Sequence, residues 1–274
     1  MPTAEKDFRP SRKVKGQLIL ISKARVLVGL LVIASVVVRS YFARSDFRFA
    51  GTTLIILIVA SMTFGGAWPE WLGLRTSKRE LGKCLLLAAI SLTVGAYFIP
   101  VLTRLAGCSY VSWEAFSARI SPAFQAFNEE LVLRALLLGT LLRTFNRPRA
   151  VSTIAALSFA SLHFGFYHYH PMGADLRPLV LVNLALFAFA CNQFFLESGH
   201  IGYGVALHVG WNLYRFGGYY VRGGRPISEA DAFNAIEGSP WNTLLIVTVF
   251  FSVRLFLLSP RSPRQPQSWP SRSP

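Results

Sequence analysis

The sequence predicts an all-α, polytopic transmembrane helical bundle of about eight spans. Three observations lead there. The chain has 274 residues, of which 53% are hydrophobic and only 15% charged. That is too little charge to coat a soluble domain of this length. Its mean hydropathy is +0.43. Apolar runs recur along the chain between short basic loops, the pattern of helices that satisfy their backbone groups within lipid. No internal repeat is evident.

Charge and cysteine content narrow the class further. The formal net charge of +15 is spread over tails and loops, which suits anionic lipid headgroups and does not describe a nucleic-acid binder. Cys84, Cys108 and Cys191 form no spacing pattern, and Cys84 and Cys191 lie in apolar runs. Neither a disulfide framework nor a thiolate metal site is indicated.

In chain order, residues 1–17 form a basic tail with Lys6, Arg9, Arg12, Lys13 and Lys15. Residues 18–258 are expected to be membrane-embedded. The first run, 18–38, is interrupted by Lys23 and Arg25, and its clean core from Val26 to Val38 spans only ~20 Å as helix. Both charges must snorkel for it to cross. A signal peptide would fit the short core, but residues 40–45 make a poor cleavage site, so an uncleaved first span is expected. The second span covers 49–68 and the third 81–102. A polar connector with an interfacial segment fills 104–120. The fourth helix starts at Ser121-Pro122, proline being tolerated in a first turn, and ends in a tight basic turn with Arg143, Arg147 and Arg149. Spans at 150–164, 179–196, 201–216 and 242–258 follow. A loop fills 217–241, and a Pro/Ser/Arg-rich tail, 259–274, is expected to be disordered.

Orientation follows from Lys and Arg in the loops. One side has the N-terminal tail, Arg75, Lys78, Arg79, Lys83, the basic turn after Phe145, Arg254, Arg261, Arg264 and Arg272. The other has fewer: Arg39, Arg44, Arg48, Arg104, Arg119, Arg177, Arg215, Arg222 and Arg225. A multi-pass cell-membrane protein with both termini in the cytoplasm is expected.

The fourth helix contains Asn128-Glu129-Glu130-Leu131-Val132-Leu133-Arg134. Charged groups at that depth cost ~2.5–3.5 kcal/mol each and face a bundle interior or a wet cavity. Glu130 and Arg134 are four apart and share a face, so they can pair. Glu129 lies ~100° round the helix and can point into a cavity. His163 closes the fifth span with Phe159 one turn behind it. His208 and Asn212 lie four apart on the seventh. Taken singly, these read as a packing ion pair, an interfacial histidine and an interhelical hydrogen bond. The run directions of the three helices instead bring Glu129, His163, His208 and Asn212 to one half of the bilayer, on the non-cytoplasmic side.

Glu129-Glu130-x-x-x-Arg134, Phe159-x-x-x-His163 and His208-x-x-x-Asn212 resemble the three motifs of the CAAX prenyl protease and bacteriocin-processing (CPBP, or Abi) family, intramembrane glutamic endopeptidases. The match covers roughly residues 80–216, each motif on its own span and in the expected order. The resemblance implies that Glu129 and His163 activate water and that His208 and Asn212 form an oxyanion site. Glu130 and Arg134 would support the helix. No cofactor is implied. The substrate would be a polypeptide with a membrane-associated segment, and the outward site fits a bacterial-type relative that trims exported or membrane-anchored proteins, for instance by removing a C-terminal sorting tag. Bacteriocin maturation or immunity is equally compatible. Two alternatives stay open: a zinc site made from two histidines and a glutamate, though no His-Glu-x-x-His helix is present, and a non-enzymatic transporter or scaffold.

Overall fold

The computed structural model describes residues 48–112, 117–139, 148–169, 177–216 and 218–257, with residues 28, 29, 31–33, 35 and 141. Both tails, most of the first apolar run, and Arg143 and Arg147 of the basic turn lie outside the described residues.

Helix α1, Arg48–Phe64, continues through a 3-10 turn, Gly65–Ala67, into a short helix α2, Trp68–Trp71. Helix α3 runs from Lys78 to Leu105 and is capped by Ser77, whose hydroxyl accepts from the Glu80 amide at 3.2 Å. That contact satisfies one of the orphan donors of the first turn. Strand β1 is Ser109–Ser112. Helix α4, Ser117–Glu130, carries Pro122 inside it and so begins earlier than its Ser-Pro pair suggests. It passes without a break into a π-helical stretch, Leu131–Leu138. Helix α5 is Pro148–Tyr169. Helix α6, Pro178–Ser198, ends at Gly199, whose φ of 75° is the left-handed conformation that glycine adopts without a Cβ penalty. Helix α7 is Gly202–Arg215.

The segment expected as a plain loop is structured. It holds strands β2, Gly218–Arg222, and β3, Arg225–Pro226, then helix α8, Glu229–Ile236. Helix α9, Pro240–Ser252, follows and ends in a π turn, Val253–Leu257. The strands form one antiparallel sheet in the order β1-β2-β3, with Tyr110 opposite Tyr220 and Val221 opposite Pro226. This small sheet corrects the all-α expectation. The protein is mostly helical, but β1 and β2 pair across a sequence distance that local patterning cannot register.

The expected count of eight spans is not confirmed. Among the described residues, three helices are long and apolar enough to cross a membrane: Lys78–Leu105, Pro178–Ser198 and Pro240–Leu257; Phe49–Thr63 is a shorter apolar helix. Length explains the difference at α7, whose 14 residues extend ~21 Å against a hydrocarbon core of ~30 Å. The outer faces nonetheless suit lipid. Leu81, Leu85, Leu86, Ile90 and Val101 of α3 are exposed, as are Leu244 and Phe251 of α9. Apolar patches of that extent mark contact with a membrane or a partner.

Helix α7 is the buried centre. It packs along α3 and against α4 and α6, while α5 lies along α6, and α9 also packs on α6. The α3–α7 crossing is close because Gly210 faces Ser91 and the Ala88 carbonyl, and Ser91 Oγ donates to the Leu207 carbonyl at 2.8 Å. Small residues at such a crossing let backbones approach, as helices do in lipid.

Candidate active site

Three neighbouring helices supply the polar centre. On α4, Asn128 fixes the helix against α1: its Oδ1 accepts from Thr53 Oγ1 at 2.6 Å and its Nδ2 donates to the Phe49 carbonyl at 2.8 Å. The next two residues are the paired glutamates, and both are buried. Glu130 Oε1 lies 3.1 Å from Arg134 Nη1, so the four-residue spacing does bring those side chains together. The Arg134 guanidinium also reaches the Ala188 carbonyl at 3.5 Å and sits 5.2 Å above the Phe159 ring, within cation–π range. Arg134 is 1% exposed. Its charge is therefore met by one carboxylate, one carbonyl and one aromatic face.

His208 joins the two glutamates. Its Nδ1 is 3.0 Å from Glu130 Oε1 and its Nε2 is 3.5 Å from Glu129 Oε2. A carboxylate against Nδ1 fixes that nitrogen as the N–H donor and turns Nε2 towards Glu129. The ring is held edge-on by Phe187 at 5.2 Å between centroids. Gln125, one turn before Glu129, donates from Nε2 to Glu129 Oε1 at 3.0 Å. The sequence reading gave Gln125 no role, although its i, i+4 spacing to Glu129 was the available signal.

Gly204 is a second residue that the motifs do not announce. A Cβ there would meet Glu130 Oε2, and would stand 3.2 Å from Glu130 Cδ and 3.5 Å from Cys191 Cβ. The missing side chain is the space that the carboxylate occupies. We expect Gly204→Ala to displace Glu130 from Arg134 and His208 and to cost ~1–3 kcal/mol, as overpacking does. A thermal unfolding midpoint in detergent equal to the wild type would remove this role.

Glu129, Phe159, His208 and Asn212 line one cavity of about 130 Å³, with Gln125 beside them. That is room for a few waters, each of which takes ~30 Å³ in the liquid. Asn212 is 5% exposed and lies one turn after His208 on the same face of α7. His163 lies one turn beyond Phe159 on α5, but its side chain lies outside the described residues. Among the described residues no group of three His, Cys, Asp or Glu side chains is placed to hold a metal ion. The zinc alternative needs His163 as a ligand and is therefore decided by experiment below.

The polar face of α7 continues past Asn212 to Arg215, another residue without a part in the motifs. Its Nε donates to Glu237 at 3.1 Å, and Phe216, Tyr220 and Phe233 surround the guanidinium at 4.8, 5.0 and 4.8 Å. Burial pushes the Glu237 carboxyl up from its ordinary range, against the opposing pull of Arg215. Burial also pushes the Tyr220 hydroxyl up to about 12. Tyr220 therefore stays neutral and donates to the Arg215 carbonyl at 2.7 Å. This knot ties β2 and α8 to the end of α7, and its Phe216, Phe233 and Glu237 line the cavity.

Comparison with known proteins agrees with the motifs. The family model described as Type II CAAX prenyl endopeptidase Rce1-like matches residues 111–214. No curated protein and no solved structure matches the chain. The matched stretch contains all three motifs, from Glu129 to Asn212. The motifs and the match together make this membrane protein similar to the CPBP/CAAX protease family over residues 111–214.

Proposed function

We propose that this protein is an intramembrane endopeptidase that hydrolyses a peptide bond in a membrane-associated or exported polypeptide, using water activated by Glu129 and His163. The observation that carries this reading is the Glu129 carboxylate on the cavity wall, 3.5 Å from the His208 imidazole, in a cavity that Asn212 also lines. Amide hydrolysis needs a base for water, an acid for the leaving amine and donors for the tetrahedral oxyanion. Glu129 takes a proton as the water oxygen bonds to the carbonyl carbon. The Asn212 amide donates to the resulting oxyanion, and so does His208 Nε2 in the imidazolium form, whose Nδ1–H stays on Glu130. When the C–N bond breaks, the proton passes from Glu129, with His163 as its partner, to the departing nitrogen. Glu130 and Arg134 hold the helix and the His208 ring without touching the substrate. No metal takes part.

The substrate follows from the setting. A cavity lined by Leu87, Ile90, Leu184 and Leu245 beside these polar groups admits a segment with apolar side chains. Removal of a C-terminal segment or sorting tag is the reaction class that fits. The direct test compares protein termini in membranes from cells carrying the wild type and Glu129→Gln. New C-termini that depend on Glu129 support the peptidase. Identical termini, with a membrane conductance that depends on Glu129, would favour a transporter.

The charge distribution of the loops supports a topology with both termini in the cytoplasm and the site on the opposite side. The β2–β3 hairpin then faces outward, and Arg225 on it is exposed. Arg225→Cys is expected to react with an impermeant thiol reagent in intact cells, since the native cysteines are buried. Labelling only after lysis would reverse the topology and make the substrate cytosolic.

A further inference from the structure

The cavity has a second polar end. Asn183, Glu237 and Asn242 line it together with the residues around Glu129. Two of these three are engaged by the fold. Asn183 Nδ2 donates to the Glu237 and Ser239 carbonyls, and its Oδ1 accepts from Thr243 Oγ1 at 2.6 Å. The Glu237 carboxylate accepts from Arg215 Nε. Asn242 differs. It is 4% exposed, sits in the first turn of α9 and faces the cavity, yet among the described residues its side-chain amide forms no hydrogen bond. A buried amide in such a place needs water or a ligand to satisfy it.

We propose that Asn242 is a substrate-binding residue that hydrogen-bonds a peptide group of the polypeptide away from the bond being cut. This rests on the peptidase reading and adds a subsite to it. The chemistry selects the ligand. An asparagine side chain offers a carbonyl acceptor and an NH₂ donor side by side, which matches one peptide group in both senses. A charged ligand has less reason to settle there, because Glu237 and Arg215 already neutralise each other at that end. The surrounding wall is apolar, with Leu184, Leu245, Ile246 and Val249. Within it, a neutral donor–acceptor pair is the group that fixes the register of an extended chain. The site is also rigid before binding. The Asn183 bonds to the Glu237 and Ser239 carbonyls pin the turn that leads into α9, and the Ser239 hydroxyl accepts from the Trp241 amide at 3.3 Å.

The test uses the full-length protein in detergent with a quenched fluorogenic peptide chosen from a library by wild-type cleavage. Asn242→Leu keeps the size of the side chain and removes both hydrogen-bonding groups. It is expected to raise KM about 3–10-fold, the effect of losing one or two neutral hydrogen bonds, with kcat within about twofold. Its thermal unfolding midpoint should match the wild type, whereas Asn183→Leu should lower it, because that amide holds the fold. A KM for Asn242→Leu within about twofold of the wild type, or a loss confined to kcat, would overturn the subsite. So would a fall in its unfolding midpoint as large as that of Asn183→Leu. A wild type that cleaves no peptide in the library would instead overturn the peptidase reading, and the subsite with it.

Discussion

Glu129→Gln is expected to reduce peptide hydrolysis by at least about 10²–10⁴-fold, the range lost with acid–base assistance. The substitution keeps the shape of the side chain and its hydrogen-bonding reach, so the protein should fold and bind substrate as before. Gln125 Nε2, which donates to Glu129 Oε1 at 3.0 Å, can still donate to the amide oxygen of the new side chain. Only the ability to take and return a proton is removed. The check is a single-turnover rate measured beside a thermal unfolding curve. Asn212→Ala gives the contrasting case. It should cost about 10²–10³-fold, as loss of an oxyanion donor does, with KM little changed. Residual activity of Glu129→Gln within tenfold of the wild type would assign the base to another residue.

Arg134→Ala is expected to destabilise the protein by about 3–5 kcal/mol. The guanidinium is buried against Glu130 Oε1 at 3.1 Å, and its removal leaves the carboxylate in the interior without its cation. The amount of folded protein in the membrane should fall together with activity. Replacing both members, Glu130→Gln with Arg134→Met, should recover much of the folded yield, because a buried pair exchanged for neutral groups of similar volume is often tolerated. It should not recover activity, since His208 Nδ1 would lose the carboxylate that orients it at 3.0 Å. If Arg134→Ala accumulated normally and lost only turnover, the pair would belong to the chemistry rather than to the scaffold.

What the sequence revealed, and what it did not, follows from the range of each interaction. The Glu130–Arg134 contact was legible because both residues sit on one helix, where a four-residue spacing sets the geometry. The shared cavity face of His208 and Asn212 was legible for the same reason. The contact of His208 with both glutamates was not, because it depends on how α7 is rotated against α4. That rotation is set partly by Gly204, whose missing Cβ leaves room for Glu130 Oε2. The three-stranded sheet escaped because β1 and β2 lie on opposite sides of four helices in the chain. Arg215 was read only as a loop charge, yet it forms a buried ion pair with Glu237 at 3.1 Å. The count of spans is confirmed in part, at the three described helices that are long and apolar enough to cross. Helix α7 is apolar enough to read as a span but is too short to serve as one unaided.

The central claim is that carboxylate and imidazole groups, and no metal ion, activate the water. It is tested most directly by assaying peptide cleavage by the purified full-length protein after exhaustive chelation, with metal content determined on the same sample. The account predicts undiminished cleavage at substoichiometric metal. Stoichiometric zinc that is lost together with activity, and restores activity on return, would contradict it and make His163 and His208 ligands.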